Sequence, residues 1–231
     1  TMNEMTVEAL CLPSGEKVLH ARDTRDSSLL LQAMALNNDA FVDSSGAVHG
    51  DPTETALFVC ARDRGHIKQE LENSYPRVAE VPFDSERKMM TTIHKHPGGG
   101  LVSFTKGAVE SVLLRSVNSA VPGQTLPLDR EAQQRRAEEL AHGGLRVLGF
   151  AVRIWDALPH EISSDTIETG LSFIGCAGLI DPERPEAKEA INLCKTAGIH
   201  PVMITGDHSI TARAIALRLG ILQSDHELLS G

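Results

Sequence analysis

Aromatic residues are scarce in this sequence: six Phe, one Trp and one Tyr make up 3% of 231 residues. The core must therefore be aliphatic. Cysteine is scarce too. Cys11, Cys60, Cys176 and Cys194 show no CxxC or zinc spacing and lie in apolar segments, so reduced core thiols in a cytosolic setting are expected. No apolar run approaches the roughly 20 residues that cross a bilayer, and no secretory leader pattern is visible. Positive charge is outnumbered, 22 Lys and Arg against 31 Asp and Glu, for a net charge of −9. That balance argues against a nucleic-acid or anionic-membrane surface, while local basic spots could still bind a single nucleotide. The ten histidines are scattered with no pair at ligand spacing, so none is assigned to a metal. No internal repeat or low-complexity tract occurs.

What is there reads as an ordinary globular sequence, 41% apolar, long enough for one large or two modest domains. Ser27 to Leu36 is helical, stopped by Asn37-Asn38-Asp39. In Gly50-Asp51-Pro52-Thr53-Glu54-Thr55-Ala56-Leu57, Asp51 suits an N-cap, Pro52 the first helical position and Glu54 the acid of a capping box. Residues 78–95 read as a strand pair around the charged turn Asp84-Ser85-Glu86-Arg87-Lys88. A strand over 101–105 leads into Lys106-Gly107-Ala108 and a short helix. A polar loop over 116–127, a charged helix to His142, the strand Leu145 to Ile154 and a polar surface connection over 156–170 come next.

The last third carries the strongest chemical signal. Gly178-Leu179-Ile180-Asp181-Pro182-Glu183-Arg184-Pro185 reads as a buried strand running into a helix capped by Asp181, and Val202-Met203-Ile204-Thr205-Gly206-Asp207 as a second buried strand before another helix. Strand ends that bring Asp, Thr and backbone N–H groups to one edge of a parallel sheet suit phosphate and Mg²⁺. No nucleophile for phosphoryl chemistry is evident.

Six pieces in order resemble one family: Gly50 to Leu57, Pro82-Phe83-Asp84-Ser85-Glu86-Arg87-Lys88-Met89-Met90, Lys106-Gly107-Ala108, Leu145-Arg146-Val147-Leu148-Gly149, Asp181-Pro182-Glu183-Arg184-Pro185, and Thr205-Gly206-Asp207. Each is weak alone; together and at these spacings they are specific. The chain resembles the nucleotide-binding domain of a P-type cation-transporting ATPase with part of its phosphorylation domain, the first two pieces being most like the calcium/sodium-pump subgroup. The resemblance covers essentially the whole chain.

It implies a fold of two parts. Residues 8–170 would form an α+β nucleotide-binding domain, an antiparallel sheet with flanking helices. Residues 171–231 would be a partial α/β, haloacid-dehalogenase-like (Rossmann-type) phosphorylation-domain segment, and 1–7 the tail of the phosphorylation-motif region. The phosphorylated Asp of the family is expected just upstream of Thr1, and the family's later acidic motif downstream of Gly231. No catalytic residue is then assigned within the chain.

The resemblance also implies a site for ATP with Mg²⁺. Phe83 would stack on adenine, where its structural alternative is a core Phe. Glu54 would accept from the adenine amino group, a role compatible with capping. Lys106, beside Gly107, would floor the pocket, where a solvated loop lysine is the plain alternative. Lys88 would line the site, although a solvated turn also explains it. Arg146 would bridge the phosphates, a bidentate partner suiting its guanidinium. Asp181 and Arg184 would belong to the hinge between the two domains, and Thr205, Gly206 and Asp207 would lie at the γ-phosphate. Two departures stand out: Val109 replaces a usual Pro and Ser85 a usual Arg.

The implied function is that of a cytosolic ATP-binding fragment of a membrane cation pump, with Ca²⁺ the first expectation for the ion and sodium/potassium the second. Its partners would be the remaining phosphorylation, actuator and transmembrane domains, with no nucleic acid and no membrane contact of its own. Two other classes stay open: a haloacid-dehalogenase-type phosphohydrolase, which needs an early Asp-x-Asp or Asp-x-Thr that is not seen, and a non-catalytic interaction module with a vestigial pocket.

Overall fold

The computed structural model describes residues 4–18, 27–181, 184–204 and 209–222. The chain opens with strands β1 (Thr6–Cys11) and β2 (Lys17–Val18), then helix α1 (Ser28–Leu36). A small hairpin, β3 (Phe41–Val42) and β4 (Val48–His49), precedes helices α2 (Pro52–Asp63) and α3 (Lys68–Ser74). Three strands come after them, β5 (Arg77–Asp84), β6 (Met89–Lys95) and β7 (Leu101–Ala108), running into helix α4 (Val109–Arg115). Next are β8 (Ser116–Val121), β9 (Gln124–Leu126), helix α5 (Arg130–His142), β10 (Arg146–Trp155), the short α6 (Ser164–Ile167) and β11 (Leu171–Ile180). Helices α7 (Pro185–Thr196) and α8 (Ser209–Arg218) complete the described elements.

The large sheet runs in the order β2-β1-β11-β10-β7-β6-β5, with β8 added to β11 and β9 to β8. Its pairings are antiparallel except β8 with β11, which is parallel. Side chains alternate across a strand, and both faces are covered. On one face Leu30, Leu31 and Met34 of α1 and Leu57 and Ala61 of α2 join a cluster with Phe104, Phe150, Ala177 and Leu179. On the other, Val109, Val112 and Leu113 of α4 and Ala137 and Leu140 of α5 join one with Met89, Ala151, Phe173 and Cys176. Four of the six Phe residues, Phe58, Phe104, Phe150 and Phe173, are fully buried, whereas Phe41 and Phe83 are exposed.

The expected antiparallel sheet with flanking helices is therefore present, but its last strand departs from expectation. Leu171–Ile180 does not open a parallel α/β unit. It runs through the middle of the antiparallel sheet, between β1 (Thr6↔Ile180) and β10 (Arg146↔Leu179). Its apolar run from Phe173 to Ile180 resembles a parallel strand because helices cover it on both faces, and two-sided burial produces that pattern in either orientation. Thr6 and Val7 likewise belong to this sheet. Residues 201–204 form no strand, and Val202 and Ile204 are exposed. Among the described residues, β11 is succeeded by two helices with no strand between them.

Other local expectations shift as well. The 116–127 loop is the β8–β9 hairpin, and the 156–170 connection contains α6 with buried Ile167 and Glu168. Helix α7 starts at Pro185 with Arg184, not Asp181, at its N-cap. Asp51 does cap α2, accepting from Thr53 N at 2.8 Å. Cys11, Cys60 and Cys176 are buried thiols, and Cys194 is half-buried.

One buried group carries a pH dependence. His94 on β6 is 1% exposed. Its Nδ1 lies 3.0 Å from the Tyr75 carbonyl and its Nε2 2.8 Å from Thr92 Oγ1. Burial pushes its pKa down to about 4, with Arg77 and Lys68 pushing the same way. Between that value and about 6.5 the unfolded chain takes up a proton that the folded chain refuses, so stability falls as pH falls through this window. Urea unfolding from pH 7 to pH 4 should show a loss of up to about 3 kcal/mol from this group. His94→Gln should flatten that part of the profile; an unchanged profile would exclude His94 as its source.

Candidate functional site

One end of the sheet gathers most of the residues that the sequence singles out. Strands β5, β7 and β11 finish there, while β6, β10 and β1 start there, as the register pairs Asp84↔Met89, Met89↔Gly107, Leu148↔Ala108, Arg146↔Leu179 and Thr6↔Ile180 require. Phe83 lies at the end of β5, two strands from Lys106 on β7, a separation of about 10 Å at the usual strand spacing. Phe83 is 62% exposed, which rejects the core reading. A bulge between Val81 and Asp84 disturbs the ladder at that point.

Lys106 is not a loop residue. It belongs to β7 and is 7% exposed. Its Nζ donates to the Asn37 carbonyl at 2.6 Å and pairs with Glu54 Oε1 at 2.5 Å. Burial pulls this lysine below its usual range, against the opposing pull of the Glu54 carboxylate. Glu54 in turn accepts the Asp39 amide on Oε2 at 3.0 Å. Its carboxylate has left the capping-box position for Lys106 and for the turn after α1.

That turn is itself pinned to the sheet. Asn37 Nδ2 donates to the carbonyl oxygens of Phe104 at 2.7 Å and Met90 at 3.3 Å. Lys68 Nζ donates to the carbonyls of Asn38 at 2.6 Å and Ala40 at 2.9 Å, and Asp39 pairs with Arg77 at 2.6 Å. Burial works to raise the Asp39 carboxyl, but the hydrogen bond and charge of Arg77 outweigh it and hold it below its ordinary value. The polar stop signal Asn37-Asn38-Asp39 thus becomes a scaffold beneath the Glu54–Lys106 pair.

Arg146, exposed at the start of β10, donates to Thr53 Oγ1 at 3.2 Å. The first turn of α2 therefore touches two of the candidate cations, Thr53 meeting Arg146 and Glu54 meeting Lys106. Thr53 is not among the residues that the sequence singles out, although it sits inside the Asp51-Pro52-Thr53-Glu54 string. Helix N-termini carry partial positive charge and attract anions, so the α2 terminus, Arg146 and exposed Phe83 together offer an aromatic face and cationic groups on one rim.

Lys88 takes φ +56 in the β5–β6 turn, and its ammonium lies 3.7 Å from Glu110 Oε1. Both side chains are exposed, so the pair contributes little to stability. Gly107 has a steric reason to be glycine: a Cβ there would stand 2.2 Å from the Lys88 carbonyl oxygen. Asp181 comes directly after the end of β11 at the same sheet end and is half-buried, while Arg184 is exposed at the α7 N-cap. Thr205, Gly206 and Asp207 lie outside the described residues. A groove of about 450 Å³ between α4 and α5, lined in part by Glu110, Leu114, Arg130 and Gln134, contains none of the candidate residues.

The family model described as "P-type ATPase, cytoplasmic domain N" matches residues 26–186. The chain is 43% identical over 190 residues to the cation-transporting ATPase pma1 of Synechocystis, covering 80% of this chain and 21% of that protein. It is 41% identical over 206 residues to calcium-transporting ATPase 1 of Bacillus cereus, covering 88% of this chain and 23% of the relative. Against calcium-transporting ATPase 1 of Lactococcus lactis the identity is 37% over 235 residues, 100% of this chain and 26% of the relative. The chain spans about a quarter of the length of these relatives.

Proposed function

The chain belongs to the P-type cation-transporting ATPase family, and we propose that it binds ATP, as MgATP, at the sheet end built around the N-terminus of α2. The observation that carries this reading is exposed Phe83 at the same sheet end as the buried Lys106–Glu54 pair and as Arg146. A chain with so few aromatics that leaves a Phe 62% exposed gains a stacking face for a base. Arg146 and the helix terminus offer positive charge to the phosphates, and Lys88 extends that charge along the rim. Asp181 and Arg184 serve the hinge side. Thr205, Gly206 and Asp207 stay assigned to the γ-phosphate by the family resemblance alone.

In this reading the domain works by positioning. It holds the adenine and presents the γ-phosphoryl group to an aspartate in parts of the relatives that this sequence does not span. Mg²⁺ travels with the nucleotide and offsets phosphate charge. Closure between the domains makes transfer conditional on the transported ion, as in other enzymes gated by domain motion. Several relatives are named calcium-transporting, which favours Ca²⁺ as the ion of the whole pump. The chain by itself should bind nucleotide without forming the aspartyl phosphate. Helix α7 leaves Leu193 exposed, a surface suited to cover by the rest of a phosphorylation domain.

The test is an NMR titration with ATP, with and without Mg²⁺. Amide shifts should cluster at Glu54, Phe83, Lys88, Lys106 and Arg146. Spectra that do not move at millimolar ATP would overturn the proposal.

A further inference from the structure

Arg87 is the one basic residue of the β5–β6 turn to which the nucleotide site gives no role, yet it is the best anchored. Its side chain is only 20% exposed and pairs through Nη1 with Oε2 of Glu168, whose side chain is fully buried. The second Glu168 oxygen accepts from Thr91 Oγ1 at 3.2 Å, and the Thr91 hydroxyl lies 2.8 Å from that of Thr105. A buried carboxylate is costly unless paired and hydrogen-bonded, so Glu168 holds the guanidinium firmly. The other arm of the fork, Nη2, donates to the Pro82 carbonyl at 2.8 Å.

Pro82 immediately precedes Phe83. The rest of the turn is held from the other side: Asp84 Oδ1 accepts the amides of Glu86 at 3.0 Å and Arg87 at 3.1 Å, and the Asp84 carbonyl accepts Lys88 N at 2.7 Å. An exposed aromatic ring has little packing of its own to hold it. Its orientation depends on the backbone that carries it, and ordering that backbone only upon binding would cost affinity. Thr105 and Lys106 are neighbours on β7, so this polar cluster lies on the face of the sheet opposite the Lys106–Glu54 pair.

We infer that Arg87, anchored by Glu168, is a positioning residue that fixes the backbone under Phe83 and so pre-organises the base platform. This rests on the nucleotide-binding reading. Arg87→Lys is the informative substitution, because an ammonium can stay paired with Glu168 but cannot fork to the Pro82 carbonyl. Arg87→Lys should melt close to the wild type while weakening adenosine and ATP alike, by about fivefold or more. Adding it to Phe83→Ala should cause no further loss. Amide exchange over residues 83–88 should quicken while residues 53–57 stay as they are. An affinity for adenosine within about twofold of wild type in folded Arg87→Lys, or additive losses in the double variant, would overturn the inference. If wild type bound neither adenosine nor ATP, the nucleotide reading would fail. Amide exchange would then decide the clamp by itself: quickened exchange over 83–88 supports it and unchanged exchange overturns it.

Discussion

Phe83→Ala is expected to weaken ATP binding by roughly 5- to 150-fold, the range for losing one base–aromatic stacking contact of about 1–3 kcal/mol. The fold should survive, because Phe83 is 62% exposed and stands outside the three buried clusters. Truncating an exposed ring removes little buried area and leaves no cavity. Adenosine should lose as much as ATP, since the contact is to the base and not to the phosphates. Titration calorimetry with both ligands, beside a thermal melt of each protein, checks this. Equal affinities for wild type and variant would remove Phe83 from the site, and with it the main support for nucleotide binding here.

Glu54→Ala should produce the largest change in stability. Lys106 and Glu54 have side chains only 8% and 15% exposed, at 2.5 Å from each other. Deleting one partner of a buried pair leaves a charge in low dielectric, at a cost of about 3 kcal/mol or more. The Asp39 amide also loses its acceptor. Burial already draws Lys106 below its normal range, and Glu54 is the strongest influence holding its charge in place. Without Glu54 the Lys106 pKa falls further. The folded state then sheds a proton that the unfolded chain keeps, so the stability of the variant should rise with pH, up to the ordinary lysine range. Urea unfolding at pH 7 and pH 9.5 measures both effects. A variant as stable as wild type at pH 7, or one whose deficit does not shrink at pH 9.5, would mean that Glu54 does not hold a buried Lys106 charge. Glu54→Gln keeps an acceptor for Asp39 and should lose less.

Much of the candidate site is legible in the sequence because its pieces are local strings. Asp51-Pro52-Thr53-Glu54 is a helix start by its own chemistry, and Asp51 caps α2 as expected. The charged turn after Phe83 and the glycine at 107 also carry their reasons locally. The illegible part depends on partners far along the chain. Glu54 abandons its capping box because Lys106, 52 residues away, offers a buried cation. Arg87 looks like a solvated turn residue because Glu168, 81 residues away, sits in a stretch that reads as polar surface. Thr53 escapes notice because its meaning comes from Arg146, 93 residues on.

The sequence by itself determined the helices α1 and α2, the β5–β6 strand pair, the aliphatic core, the family and the candidate residues. Those features arise from short-range periodicity, capping chemistry and motif strings, which need no knowledge of the distant chain. Tertiary structure alone decided that Leu171–Ile180 completes an antiparallel sheet and does not open a parallel one. A strand buried on both faces has the same apolar run in either direction, and only hydrogen-bond pairing with β1 and β10 distinguishes them. It also decided which charges pair. Burial sets the strength of those contacts, and burial is a property of the whole fold.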